Sequence, residues 1–405
     1  MQFQIDGDRL WNTLTDMGQV GREQRGVNRL ALNDADKDAR DLFTGWLREE
    51  GLDVKVDNIG NIFGVRKGTD PSLLPVVVGS HLDTVMEAGV FDGALGVLSG
   101  LEIIRVLNQG DIDTERALAV AAFTNEEGAR FQPDMMGSMV FSGHLDLETA
   151  WAAVDDVGVT VKDELKRIGY LGTDEIEAGC YFELHVEQGP VLHKERYDLG
   201  VVEGVQGMAW WDGEYTGEAN HAGTTPLHLR KDALLAAAEL CLKLRETAEK
   251  LGKGSVATMG RLRPKPNIRN VVPGGAFFTV DFRQYESILF EEGQKTVANL
   301  IRKVSEEHVL EYSLTQTVDA KPVRFDSGMT ELVVRKSKEL GLSYKLMYSG
   351  AGHDAQFMSI VCPTAMIFVP SIEGRSHCPE ERTLRTDCVN GANVLLNCVM
   401  ERLIG

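Results

Sequence analysis

The feature that most constrains the fold is an alternation of short apolar runs with helix-period stretches, which breaks off in mid-chain and later resumes. Residues Asp34 to Glu50 place Leu42, Phe43, Trp46 and Leu47 on helical spacing and stop at Gly51, a residue suited to a left-handed helix cap. The runs Val54 to Val56, Ile62 to Val65 and Leu74 to Val78, bounded by Asn, Gly and Pro, predict strands. Helical spacing returns over Gly93 to Leu107, and a further apolar strand follows over Ala117 to Phe123. This order implies an α/β sheet with helices on its faces.

From about Val201 the texture changes. Strand-like alternation over Val202 to Gly217 gives way to a helix over Lys231 to Glu249, alternation over Ala276 to Arg283, and a second helix over Leu289 to His308. The α/β pattern resumes near Met329 and includes an apolar strand over Ala365 to Val369. The expectation is a two-domain α/β protein: an α/β domain of residues 1–208 and 326–405, interrupted by an α+β domain of residues 209–325. A chain of 405 residues agrees, because single cores rarely grow to that size.

Charge and hydropathy exclude several partners. A formal net charge of −19 repels phosphate backbones and anionic membrane surfaces, and no basic cluster is dense enough to override it, so no nucleic acid is expected as a partner. No apolar run is long enough to span a bilayer, and the opening residues lack a basic region followed by an apolar stretch. A soluble, cytoplasmic protein without a membrane partner is expected. Six cysteines, none in a C-x-x-C pair, predict mostly buried thiols rather than a disulfide framework or a cysteine zinc site.

Nine histidines are available, and those beside carboxylates at the ends of predicted strands are the candidates for chemistry, because loops there build sites in open α/β sheets. His81 closely follows a strand and has Asp83 two residues on, on the same face if the chain stays extended. A neighbouring carboxylate can hold the second ring nitrogen of a metal-bound histidine. A lone His-x-Asp is nonetheless more often a structural pair. Asp92, just before a helix, reads equally as an N-cap. Glu126 and Glu127 follow a buried strand side by side, where like charges need a cation or a shared proton. His185, within Glu183-Leu184-His185-Val186-Glu187, and His377, within a polar loop, complete the set. Taken together, three histidines and two carboxylates are the nitrogen and oxygen ligands that zinc, manganese or cobalt accept, with one glutamate left as a base.

The segments Gly79-Ser80-His81-Leu82-Asp83-Thr84, Phe91-Asp92-Gly93, Asn125-Glu126-Glu127-Gly128, Glu183-Leu184-His185-Val186-Glu187-Gln188-Gly189 and Ser376-His377 resemble one family. It is the hydantoinase/carbamoylase-type amidase branch of the zinc aminoacylase and exopeptidase superfamily, which contains N-carbamoyl-L-amino-acid hydrolases, allantoate amidohydrolases and fungal-type β-ureidopropionases. The resemblance implies two divalent ions (zinc, manganese, cobalt or nickel) on His81, Asp92, Glu127, His185 and His377. Asp92 would bridge, Asp83 would support a ligand, and Glu126 would be the general base. It further implies a homodimer with the inserted domain as lid and dimer contact.

Matches continue in Asn220-His221-Ala222-Gly223-Thr224-Thr225-Pro226, Asn270-Val271-Val272-Pro273-Gly274 and Asp281-Phe282-Arg283, and in Ser349-Gly350-Ala351-Gly352-His353-Asp354. By the same resemblance His221 is catalytic, and Gln188, Asn270, Arg283, Gly352 and His353 bind a ureido or N-carbamoyl carboxylate. Cys378 departs from the Asn usual after the last metal histidine. His144, His193, His228 and His308 match no motif and are read as surface or structural. A catalytically silent metal-binding relative would require a lost ligand or base, and none is lost. A nucleotide-binding α/β protein is excluded by the lack of G-x-G-x-x-G and of a P-loop.

Overall fold

The computed structural model describes residues 3–404 and divides into two compact units, one made of residues up to Glu203 and from Phe325, the other of Gly204–Arg324. The divisions fall a few residues earlier than 208/209 and one earlier than 325/326.

The first unit is built on a twisted sheet. Its four central strands, in the order Leu118–Phe123, Val76–His81, Cys180–Val186 and Thr364–Val369, are parallel and buried at every position. Burial on both faces explains why these segments read as continuous apolar runs rather than alternating ones. Antiparallel strands flank them: Ile62–Arg66 and Asp53–Val56 on one side, Leu199–Val205 on the other. Helices Asp34–Glu49, Ala94–Gln109 and Arg385–Ile404 pack with the sheet into one apolar core.

One strand differs from expectation in a way that matters for the site. The run expected over Leu74 to Val78 is a strand over Val76–His81. Pro75 has no N–H for the ladder, so pairing starts after it. Gly79 then lets the strand continue, since a Cβ there would lie 2.6 Å from the Ala121 carbonyl oxygen. His81 is therefore the last residue of a central strand.

The second unit is a four-stranded antiparallel sheet, in the order Glu311–Ala320, Gly207–Thr216, Gly275–Gln284 and Val256–Lys265, with helices Ala233–Leu251 and Ser287–Glu307. Ala209, Trp211, Tyr215, Phe278, Val280 and Phe282 alternate inward and join helix residues such as Leu240, Phe290 and Ile301 in a separate core. The opposite face, with Trp210, Asp212, Glu214, Asp281 and Arg283, is polar and more exposed. The two edge strands, Val256–Lys265 and Glu311–Ala320, had no clear apolar signal. They are mostly exposed and carry charge, and Val256–Lys265 also carries Pro264, as edge strands commonly do.

Four of the six cysteines are buried, whereas Cys241 is exposed and Cys378 half-buried. Among the described residues no helix is long and apolar enough to cross a membrane.

Candidate metal centre

The carboxyl ends of the four parallel strands carry the candidate ligands, at the end of an open α/β sheet where ligands generally bind. His81 ends Val76–His81, Glu126 and Glu127 follow Leu118–Phe123, His185 lies in Cys180–Val186, and His377 is in the loop beyond Thr364–Val369.

Both buried histidines have one ring nitrogen committed. His81 Nδ1 donates to the Asp83 backbone carbonyl at 2.9 Å, and His185 Nδ1 to the Val186 carbonyl at 2.9 Å. The Gly93 N–H donates to His185 Nε2 at 3.2 Å. Each Nε2 also lies near Asp92: His185 Nε2 is 3.0 Å and His81 Nε2 3.6 Å from its Oδ1. The Asp83 carboxylate does not support His81 in the way the His-x-Asp spacing suggested, since its nearer oxygen is 3.9 Å from Nδ1. It accepts instead the amides of Glu126 and Glu127, both at 3.2 Å. Asp83 anchors the glutamate turn, and its backbone orients the histidine.

Asp92 is not an N-cap: the capping position belongs to Gly93, whose φ is +65°, and no side chain caps that helix. A Cβ on Gly93 would sit 2.5 Å from the His81 ring, so only glycine lets Asp92 and His81 approach. The Asp92 carboxylate faces three histidines, with His377 Nε2 3.5 Å from Oδ2. Burial works against its charge, yet His185 and His81 hold it well below the usual carboxylate range.

Glu127 lies 3.2 Å from His377 Nε2 through Oε2, while its Oε1 is buried with no hydrogen bond. Burial, reinforced by Asp92, pushes its carboxyl well above the ordinary range. Burial also raises Glu126, with Asp354, Glu127 and Asp83 adding to the effect and His81 opposing it. Among the described residues three groups could hold a metal ion, each with its ligand atoms within 4.8 Å of one another: Glu183/His185/His353, and the two sets that share Asp92, His81/Asp92/His185 and Asp92/Glu127/His377. An imidazole and carboxylate donor set, an orphaned buried carboxylate oxygen and this density of dry negative charge fit divalent cations.

The remaining candidates fall in three places. Gln188, at φ +58°, donates to Asp92 Oδ2 at 2.8 Å and is 3.3 Å from His377 Nε2. His353 is enclosed: its ring packs 4.6 Å from that of His185, its Nε2 is 2.9 Å from Ser349 Oγ, and burial holds it well below its ordinary pKa. Gly352 beside it is packed on Met135, where a Cβ would come within 2.7 Å. His221, Asn270 and Arg283 all belong to the second unit. Arg283 donates through Nε and Nη2 to Asp281 at 3.1–3.2 Å, which fixes the plane of its guanidinium.

Sequence reasoning missed the groups that hold the ligands. Ser376 donates to Asp92 Oδ2 at 2.8 Å. Glu381 accepts the amides of Phe91 and Asp92 at 2.9 and 3.2 Å, and burial followed by Asp92 raises its carboxyl to about 7. Glu183 binds Ser80, Tyr181 and the Ala355 amide from inside the sheet. A period-two reading of Glu183 and His185 would have found it, because both lie on one face of a buried strand. Of the unassigned histidines, His308 pairs with Glu239 at 2.7 Å and His144 packs on Phe357.

A model of peptidase family M20/M25/M40 matches residues 77–401. The N-carbamoyl-L-amino-acid amidohydrolase of Rhizobium meliloti is 41% identical, over 98% of this chain and 96% of that one. The N-carbamoyl-L-amino acid amidohydrolase of Geobacillus stearothermophilus is 36% identical over 98% of each, and the allantoate amidohydrolase of Escherichia coli (strain K12) is 32% identical over 91% of each. Among solved structures, a hydantoinase/carbamoylase family amidase from Burkholderia multivorans superposes with a TM-score of 0.97 at 41% identity, covering 99% of both chains. With the match spanning most of the chain and full-length relatives at this identity, the protein belongs to the M20/M25/M40 peptidase family.

Proposed function

We propose that this chain hydrolyses the ureido group of N-carbamoyl-L-amino acids, giving amino acid, ammonia and carbon dioxide. The observation that carries the reading is a division of labour between adjacent carboxylates. Glu127 belongs to a ligand set, whereas Glu126, 3.4 Å from His81 Nε2, belongs to none and is left for proton transfer. Names borne by full-length relatives support the substrate class. Allantoate is the alternative substrate, supported by one relative's name at lower identity.

Two divalent cations on His81, Asp92, Glu127, His185 and His377 would supply Lewis acidity that brings the pKa of water to about neutral. The Glu126 carboxylate takes a proton from the attacking water and returns it to the departing nitrogen. Ammonia leaves, and the carbamate product loses carbon dioxide unaided. His221 donates a hydrogen bond to the oxygen that becomes negative in the tetrahedral state. Arg283, its plane set by Asp281, offers its planar fork to the substrate carboxylate.

Arg283→Leu should therefore cost about 2 to 5 kcal/mol in kcat/KM for N-carbamoyl acids and much less for their carboxamides. Equal losses on acid and amide would make Arg283 structural and reopen the substrate class.

The metal ligands belong to the first unit and the proposed substrate groups His221, Asn270 and Arg283 to the second, and the homodimer implied by the sequence resemblance can be tested directly. Glu126→Gln and His221→Ala chains, each inactive alone, are co-refolded. If His221 serves the partner chain's site, mixed two-fold dimers contain one wholly wild-type site, and activity should return to roughly a quarter of wild type. No recovery despite proven mixed dimers rejects the shared site.

A further inference from the structure

We propose that Arg230 and the backbone amides of Gly223 and Thr224 form a positioning device that fixes the His221 ring with Nε2 as its proton-donating atom. His221 Nδ1 accepts the Gly223 N–H at 3.0 Å and the Thr224 N–H at 3.1 Å. A nitrogen accepting two N–H groups carries no hydrogen of its own, so in the neutral ring the hydrogen is on Nε2.

The segment around the ring is closed on itself. His221 pairs with Val271 in a two-residue antiparallel ladder, and its own amide donates to Asn220 Oδ1 at 2.8 Å. The Thr225 hydroxyl donates to the His221 carbonyl at 2.7 Å. Arg230 then spans the turn, with Nη2 donating to the Ala222 carbonyl at 2.6 Å and Nε to the Thr225 carbonyl at 3.0 Å. These two carbonyls bracket the Gly223-Thr224 pair. The Ala222 amide donates to the Asn270 carbonyl at 3.0 Å, so the same unit also carries Asn270. His221, Gly223, Thr224 and Pro226 are exposed, so these hydrogen bonds rather than core packing set the shape of the turn. Glycine suits residue 223 because a Cβ there would come within 3.2 Å of the imidazole Cε1.

The device gives His221 one role. A ring held this way donates from Nε2 and has no nitrogen left to accept a proton from water, which leaves the base to Glu126. This consequence rests on the reading of His221 as a substrate-facing group, but the lock itself is measurable without substrate.

Amide hydrogen exchange, resolved to single residues on the full-length protein, is the test. Exposed amides exchange freely unless they are bonded. The Gly223 and Thr224 amides should exchange at least about tenfold more slowly in the wild type than in His221→Ala, where the acceptor is gone. Arg230→Ala should lose the same protection, and Arg230→Lys should keep part of it. In kinetics Arg230→Ala should lower kcat by about 10- to 100-fold with KM within about threefold, because the donor is misplaced rather than removed. Arg230→Lys should recover part of that loss. Equal exchange at both amides in wild type and His221→Ala overturns the lock; an exposed residue such as His221 can be truncated without endangering the fold. If the protection pattern holds while His221→Ala and Arg230→Ala turn over at the wild-type rate, the lock stands and the role of His221 at substrate falls.

Discussion

Glu126→Gln is expected to lower kcat by about 100- to 10,000-fold while the metal content stays unchanged. The backbone of Glu126 is fixed independently of its side chain: its amide is held by Asp83 at 3.2 Å, and its carbonyl accepts the Met135 amide at 2.7 Å. Asn125, at φ +54°, ties the same turn together by donating to the Phe131 and Pro133 carbonyls at 2.9 and 3.0 Å. A glutamine of the same shape therefore sits where the glutamate sat and lacks only the ability to take a proton. Because Glu126 belongs to no ligand set, metal content should not change. Elemental analysis and steady-state kinetics on the same preparation check both halves. Turnover near wild type at full occupancy would remove Glu126 from the mechanism.

The second large effect is expected at Asp92, which the His81/Asp92/His185 and Asp92/Glu127/His377 sets share. Asp92→Ala removes the carboxylate shared by the two candidate ligand sets and strands the donors of Gln188 and Ser376, which both point at Oδ2. Loss of a group that merely orients a ligand costs 10- to 100-fold in metal affinity, so removal of a shared ligand should exceed about 100-fold at both positions. The fold should survive, since the Asp92 amide stays bonded to Glu381 and the neighbouring helix begins at Gly93 without an Asp92 cap. Competition against a chelator of known affinity gives the number. Two cations retained with near-normal affinity would show that Asp92 does not bridge.

How much of this was legible in the sequence follows from the kind of signal each part leaves. The parallel strands are fully buried and leave continuous apolar runs, so the α/β unit can be read directly. The edge strands of the second unit bury one side at most, and their exposed, charged residues hide them. Ligand candidates stand out because histidines and paired carboxylates directly after buried strands are costly without a cation. The groups that hold them do not stand out, for their partners are remote: Glu381 reaches Asp92 from 289 positions away. The N-cap reading of Asp92 failed for a reason local sequence cannot show, the positive φ of Gly93, which turns the carboxylate from the helix toward the histidines. The packing of the His353 ring against His185 likewise has no sequence signal, since the two lie far apart in the chain.

The most direct test of metal-dependent ureido hydrolysis at this centre is ammonia release by the full-length protein, first stripped with a chelator and then titrated with zinc, manganese, cobalt or nickel. N-carbamoyl-L-amino acids, N-carbamoyl-β-alanine and allantoate form the panel. The account predicts negligible turnover without metal, and ammonia from N-carbamoyl-L-amino acids returning as cations are added, reaching its limit near two per chain. Full turnover by the stripped protein, or no ammonia from N-carbamoyl-L-amino acids with any of the four metals, would contradict it.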